Sequence, residues 1–292
     1  MSSIRHEMGS MHNPVGKLTA EHPGVVKVAR AGWFAKGVVY VIGGYLALSV
    51  AAKASGWTDA SSTTGDQEAS PVGAIKTVAG SGPGTLLLWL LAIGMLLYAA
   101  WRVVSAVLPG GTDAKAMAHR IGYIASAVMY TTLAISAIAL ARNAAANPDG
   151  NKKVTDISEK VMTHSFGRVV IGILGIIVIA VGLYRISKGV KLDMEDELDM
   201  SSASPTFRQW IERLGAVGEI GRGVGFALVG FFLLRAAMTY DPSKATGLDG
   251  AMRRMASEAT WGVIVVVVVG IGFAAYGIFC LATFTRRRLE AP

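Results

Sequence analysis

The run WGVIVVVVVGIGFAAYGIFCLAT, residues 261–283, decides the fold. It carries no charged side chain, and Val263 to Val269 is continuously apolar where a barrel strand would alternate. About 20 apolar residues cross a bilayer core. In lipid each backbone N–H and C=O has to be paired within its own segment, which a helix achieves. Five more runs of this kind lie near 32–52, 84–107, 119–141, 167–187 and 218–238. Hydrophobic residues make up 52% of the 292 positions and charged ones 16%, against about 25% charged in soluble domains. The sequence predicts an all-α integral membrane protein with six transmembrane helices embedded in a lipid bilayer.

The formal net charge of +8 does not point to nucleic acid, because the basic residues gather at the ends of the apolar runs, where membrane proteins place Lys and Arg. Lys and Arg number five through Lys36, three in 102–120, six in 185–222 and three after the last run, 17 in all. The remaining connections hold two, five and four, 11 in all. The positive-inside rule then puts both termini in the cytoplasm, for a multi-pass protein of the cell membrane. Cys280 is the sole cysteine, so an internal disulfide and a cysteine-based metal cluster are excluded.

Working outward, the apolar runs repeat in pairs. First helices align as Arg30-Ala31-Gly32-Trp33, Arg120-Ile121-Gly122-Tyr123 and Glu219-Ile220-Gly221-Arg222. Tyr40 and Tyr130 follow eight residues after Gly32 and Gly122, with Val229 in the third copy. Second helices align on Gly94/Tyr98, Ala180/Tyr184 and Gly272/Tyr276, followed four residues on by Arg102, Lys188 and Cys280. Helical spacing of four sets each trio on one face. Each outer connection holds a short amphipathic stretch: Val72/Ile75/Val78/Ala79, Val154/Ile157/Val161/Met162 and Leu248/Ala251/Met252/Met255. These read as interfacial helices, and Ser70-Pro71 supplies a cap and a helix-starting proline for the first. Two crossings return the chain to its starting side, so the three two-helix repeats are parallel, about an approximate threefold axis. The expected divisions are a disordered tail 1–29, repeat 1 at 30–108, repeat 2 at 117–190, a linker with an amphipathic helix at 191–217, repeat 3 at 218–285 and a tail 286–292.

Arg208 to Tyr276 contains Leu214-Gly215, Gly225-Phe226, Gly230-Phe231-Phe232, Arg235-Ala236-Ala237, Asp241-Pro242, Gly247-Leu248-Asp249-Gly250-Ala251 and Ala275-Tyr276-Gly277. Together with Ala35-Lys36-Gly37-Val38-Val39-Tyr40 near the start, this resembles a mostly actinobacterial membrane family catalogued as a domain of unknown function. The resemblance covers roughly Arg30 to Arg287. It implies a six-helix fold of three two-helix repeats and carries no activity with it.

Candidate functional residues are few. Lys36 sits about one turn inside the first span, where it either snorkels to the headgroups or points into the bundle. Snorkelling is the expected placement, with Ser126 and Gly225 at the matching positions. Tyr98, Tyr184 and Tyr276 either line a central cavity or pack between helices and in an interfacial belt. Arg102 and Lys188 are expected to anchor to headgroups. Gly32, Gly122, Gly221 and Gly225 are expected at helix contacts, Gly221 and Gly225 as a small-xxx-small pair. The acidic run Asp193 to Asp199 lacks the glycine and spacing of an EF-hand loop, and His6, His12 and His22 lack the spacing of a metal site. No internal Asp, Glu or His is expected to serve in the apolar spans, so neither catalytic residues nor a cofactor is expected. Two functions remain open: a non-catalytic scaffold or accessory subunit with a membrane-protein partner or a second copy, and a facilitative channel or carrier along the axis.

Overall fold

The computed structural model describes residues 23–57, 68–80, 84–107, 114–143, 148–164, 166–192, 198, 200, 203–258 and 261–286. The helices are α1 (Pro23–Ala54), α2 (Pro71–Ala79), α3 (Gly84–Val107), α4 (Ala114–Arg142), α5 (Gly150–Met162), α6 (Gly167–Val190), α7 (Pro205–Thr239), α8 (Leu248–Glu258) and α9 (Gly262–Thr283). Six have the length and hydropathy to cross a membrane: Arg30–Ala54 in α1, Gly84–Val107, His119–Arg142, Gly167–Val190, Pro205–Thr239 and Gly262–Thr283. The described residues contain no extended strand, and the protein is an all-helical, multi-pass membrane protein.

Two boundaries differ from expectation. Helix α1 begins at Pro23, so residues 23–29 are helical, while residues 1–22 with their three histidines lie outside the described residues. The amphipathic linker helix is not separate: Ser204 caps it through the Phe207 N–H, and it runs on without a break as α7. At 1.5 Å per residue its 35 residues extend for about 52 Å. A bilayer core is about 30 Å thick, so the first turns project beyond it. Most of the acidic run, 193–197 and 199, and residues 287–292 lie outside the described residues.

The short helices α2, α5 and α8 close one end of the bundle. As expected, Ser70 caps α2 by accepting from the Gly73 N–H, with Pro71 at its first position. Each short helix turns sharply into the next span at a glycine. A Cβ at Gly84, Gly167 or Gly262 would run into the carbonyl oxygen of Ala79, Val161 or Met255, so only glycine fits these three equivalent corners. Ile75 and Met252 are fully buried, which draws α2 and α8 into the core rather than leaving them flat on its surface. Asp249 joins all three connections. Its Oδ1 accepts from the Ala69 N–H at 2.7 Å and its Oδ2 from Asn151 Nδ2 at 3.0 Å, while Asn151 Oδ1 accepts from the Gly250 N–H at 3.0 Å.

Packing between spans follows small residues. The second helix of each repeat lies on the first helix of the next: α3 on α4, α6 on α7 and α9 on α1. Gly175, Gly182 and Gly189 of α6 face Gly230, Gly223 and Ala216 of α7 so closely that a Cβ at each would stand 2.6–2.9 Å from backbone oxygen. Within repeats, α1 packs on α3 and α7 on α9, but α4 and α6 of the second repeat are not packed together. The bundle therefore reads α4–α3–α1–α9–α7–α6, and the unpaired faces of its two outer members, α4 and α6, form a seam in the repeat pattern.

The contacts also correct the register of the third repeat. A Cβ at Gly32 would stand 2.8 Å from Cβ of Tyr98, and one at Gly218 would stand 2.8 Å from Cβ of Tyr276. Three residues on, Ala35 meets Gly94 and Gly221 meets Gly272. The partner of Gly32 is thus Gly218, three residues before Gly221. Lys36 then corresponds to Arg222, and Tyr40 to Phe226.

Candidate functional site

At the end of the bundle away from Asp249, the glycine–tyrosine contacts carry basic side chains inward. Gly32 lets Tyr98 approach α1, and Lys36 stands one turn on; Gly218 does the same for Tyr276, and Arg222 stands one turn on. Lys36 is 4% exposed and Arg222 6%. Lys36 Nζ donates to Tyr98 Oη at 3.1 Å and lies 4.3 Å from the Trp33 ring centre and 5.2 Å from that of Tyr276. Arg102, one turn beyond Tyr98, donates to the same hydroxyl from Nε at 2.9 Å and from a terminal nitrogen at 2.6 Å. The Arg222 guanidinium sits 3.9 Å from the Tyr276 ring centre and 5.3 Å from that of Tyr40. Edge-to-face contacts between Tyr40 and Tyr276, 4.9 Å, and between Tyr98 and Tyr130, 4.5 Å, complete the wall.

Among the described residues, one carboxylate answers these groups. Glu219, 6% exposed, accepts from Arg222 and from Arg185 of α6, each at 2.8 Å. Lysine and arginine are donors only, and one tyrosine hydroxyl already receives donors from both Lys36 and Arg102. Arg222 Nε and Tyr130 Oη are buried with no hydrogen-bond partner among the described residues. Ring faces offset part of the burial cost, at about 0.5–2 kcal/mol per cation–π contact. The effective penalty for burying an ion is several kcal/mol. A cluster this rich in donors and poor in acceptors is suited to receive an anion, whose oxygens supply the missing acceptors.

Lys36 does not snorkel, because Gly32 and Gly94 bring α1 and α3 close enough for Tyr98 and Trp33 to enclose its stem. Arg102, expected at the headgroups, bonds back to Tyr98 instead. Tyr98 and Tyr276 are buried, but Tyr184 is 61% exposed, since the helix pairing that would cover it is missing in repeat 2. Gly122 meets nothing within 4 Å for the same reason, so it is not a packing glycine. Gly221 packs on Gly272, and Gly225 lies beside Leu248, Phe273 and Val269. Glu219 is an internal acid that the sequence reading passed over, and Arg222 entered it only as a topology marker. The usable signal was their spacing: Arg222 follows Gly218 as Lys36 follows Gly32. Among the described residues, no three His, Cys, Asp or Glu side chains gather as a metal site would require.

Comparison with known proteins bears on the fold and the register. The chain is 29% identical over 262 residues to the uncharacterized protein YxxB of Bacillus subtilis (strain 168), covering 89% of this chain and 90% of that one. No solved structure matches it. The profile of the family described as Domain of Unknown Function (DUF1206) matches residues 31–108, 121–191 and 217–283. These segments begin one residue before Gly32, Gly122 and Gly218, the register that the glycine–tyrosine contacts define. The chain belongs to the DUF1206 family.

Proposed function

We propose that this protein is a non-catalytic component of the cell membrane, with both termini cytoplasmic, that binds an oxyanion at Lys36, Arg102 and Arg222. It acts as an accessory or scaffold subunit rather than as a conduit. The observation that carries the proposal is the imbalance at the cluster: Lys36 and Arg222 are buried and Arg102 half-buried, yet among the described residues Lys36 and Arg102 share only the Tyr98 hydroxyl and Arg222 shares Glu219 with Arg185. Against conduction stands the rest of the interior. Leu46, Leu88, Met95, Leu133, Val266 and Phe232 form one apolar core, and the Asp249 hub bolts the far end. A carrier would have to unpack both. A neighbouring surface of α6, with Val169, Ile176 and Leu183 exposed, offers a helix face for a membrane-protein partner or a second copy.

Calorimetric titration of the full chain in nanodiscs with inorganic phosphate, paired with phosphate flux into proteoliposomes, tests this function. Binding without flux is expected. Flux that Lys36→Met abolishes would establish a solute path instead, and absence of binding would remove the anion role.

A further inference from the structure

The second repeat keeps the sequence features of the other two but not their packing. Positions equivalent to the α1–α3 and α7–α9 contacts are Gly122 and Ala125 on α4, and Ala180 and Tyr184 on α6. All four are exposed. The seam they border leads to the basic cluster, because both of its helices contribute to it. The Tyr123 ring of α4 is centred 4.9 Å from the Arg102 guanidinium and Tyr130 of α4 meets Tyr98 edge to face, while Arg185 of α6 holds Glu219. Where repeats 1 and 3 place Lys36 and Arg222, α4 has the short, half-buried Ser126, which leaves the α4 side of the cluster without a basic side chain. Three buried polar atoms without a partner among the described residues, Arg222 Nε, Arg185 Nε and Tyr130 Oη, lie at this same cluster.

We propose that the seam between α4 and α6 admits an anionic phospholipid from the bilayer, with its phosphate on Lys36, Arg102 and Arg222 and its acyl chains along the exposed aliphatic residues of α4 and α6. The proposal rests on the anion-binding function above and names the source of the anion. The match is one of both chemistry and place. The exposed apolar faces of α4 and α6 belong to helices whose Tyr123, Tyr130 and Arg185 reach the donor-rich basic cluster, and a phospholipid joins acyl chains to a phosphate in that order. A free anion has no use for the apolar faces.

Gly122 allows a test that spares the fold, since a side chain there meets open space. Full-length wild type, Gly122→Trp and Lys36→Met are delipidated in detergent. Retention and rebinding of phosphatidylglycerol or phosphatidylcholine are read by native mass spectrometry, and inorganic phosphate binding is read separately by calorimetry. The expected result is one phosphatidylglycerol held by wild type in preference to phosphatidylcholine. Its affinity is expected to fall roughly tenfold or more in both variants, with inorganic phosphate binding lost only in Lys36→Met. If wild type binds inorganic phosphate but shows no preference for phosphatidylglycerol, or if Gly122→Trp leaves lipid binding unchanged, the lipid is wrong and the anion site stands. If neither phosphate nor lipid binds, both fall.

Discussion

Among the described residues the two ends of the bundle each bury one carboxylate, Asp249 at 5% exposure and Glu219 at 6%, and treat it in opposite ways. Asp249 receives a backbone N–H, an asparagine amide and Arg253, so donors and acceptors balance and three connections become one joint. Glu219 faces two arginines, with Lys36 and Arg102 nearby on tyrosines and one guanidinium nitrogen of Arg222 unanswered. A balanced polar network rigidifies a fold, whereas an unbalanced one costs stability wherever nothing binds to it. The first end is built to stay shut and the second to receive something.

The comparison breaks most easily at the joint. Asp249→Ala strands the Ala69 N–H and the Asn151 amide at a buried joint, and leaving such buried donors unanswered typically costs about 1–3 kcal/mol each. Thermal unfolding of the full chain in detergent should show this loss, and added phosphate should not restore it. Glu219→Gln should cost less, about 2–3 kcal/mol, since the tyrosine rings still face Arg222. Here phosphate should recover most of the lost stability by mass action. Equal behaviour of the two variants toward phosphate would erase the distinction between the ends.

Gly218→Ala comes next. Its methyl group would press on Cα of Tyr276, an overpacking that costs about 1–3 kcal/mol. Gly122→Ala, at the equivalent position of the open repeat, should instead gain up to about 1 kcal/mol of helix propensity. Equal effects on the melting temperature would contradict both the register and the seam. The smallest effect belongs to Asp241, in the turn after α7. The Ser243 hydroxyl and backbone N–H, together with Lys244, hold its carboxyl below the usual range. A depressed pKa stabilises above the ordinary value near 3.9 and is lost as pH falls through the folded value. Asp241→Asn should therefore remove a slight stabilisation at neutral pH and none in strong acid, as melting curves across that pH range would reveal.

Much of this fold was legible because bilayer physics leaves few choices. Apolar runs of similar length with few charges set the six spans, and periodicity with Ser70-Pro71 marked the short helices. The site was not legible, for two reasons. A lysine one turn inside a span has the same sequence signature whether it snorkels or turns inward, and only the glycine–tyrosine contact across two helices decides. The third repeat also offers glycines at both Gly218 and Gly221, and choosing the later one hid the match of Lys36 with Arg222. Nor did Ala180 and Tyr184 reveal that repeat 2 stays open. The better clue was the stripe Gly175, Gly182 and Gly189, which commits α6 to α7. Two of the 17 basic residues counted for orientation, Lys36 and Arg222, are buried, which leaves 15 against 11.

The central claim, an anion site built from buried basic residues, is tested most directly by titrating inorganic phosphate into wild type and Lys36→Met and following the unfolding temperature. Replacing a buried charge by an apolar side chain of similar length is often neutral or stabilising in itself. Lys36→Met should therefore melt at or above the wild-type temperature without phosphate. Wild type should then rise with phosphate as a saturating function of concentration, while Lys36→Met stays flat. A wild-type protein indifferent to phosphate, or a variant that responds equally, would contradict it.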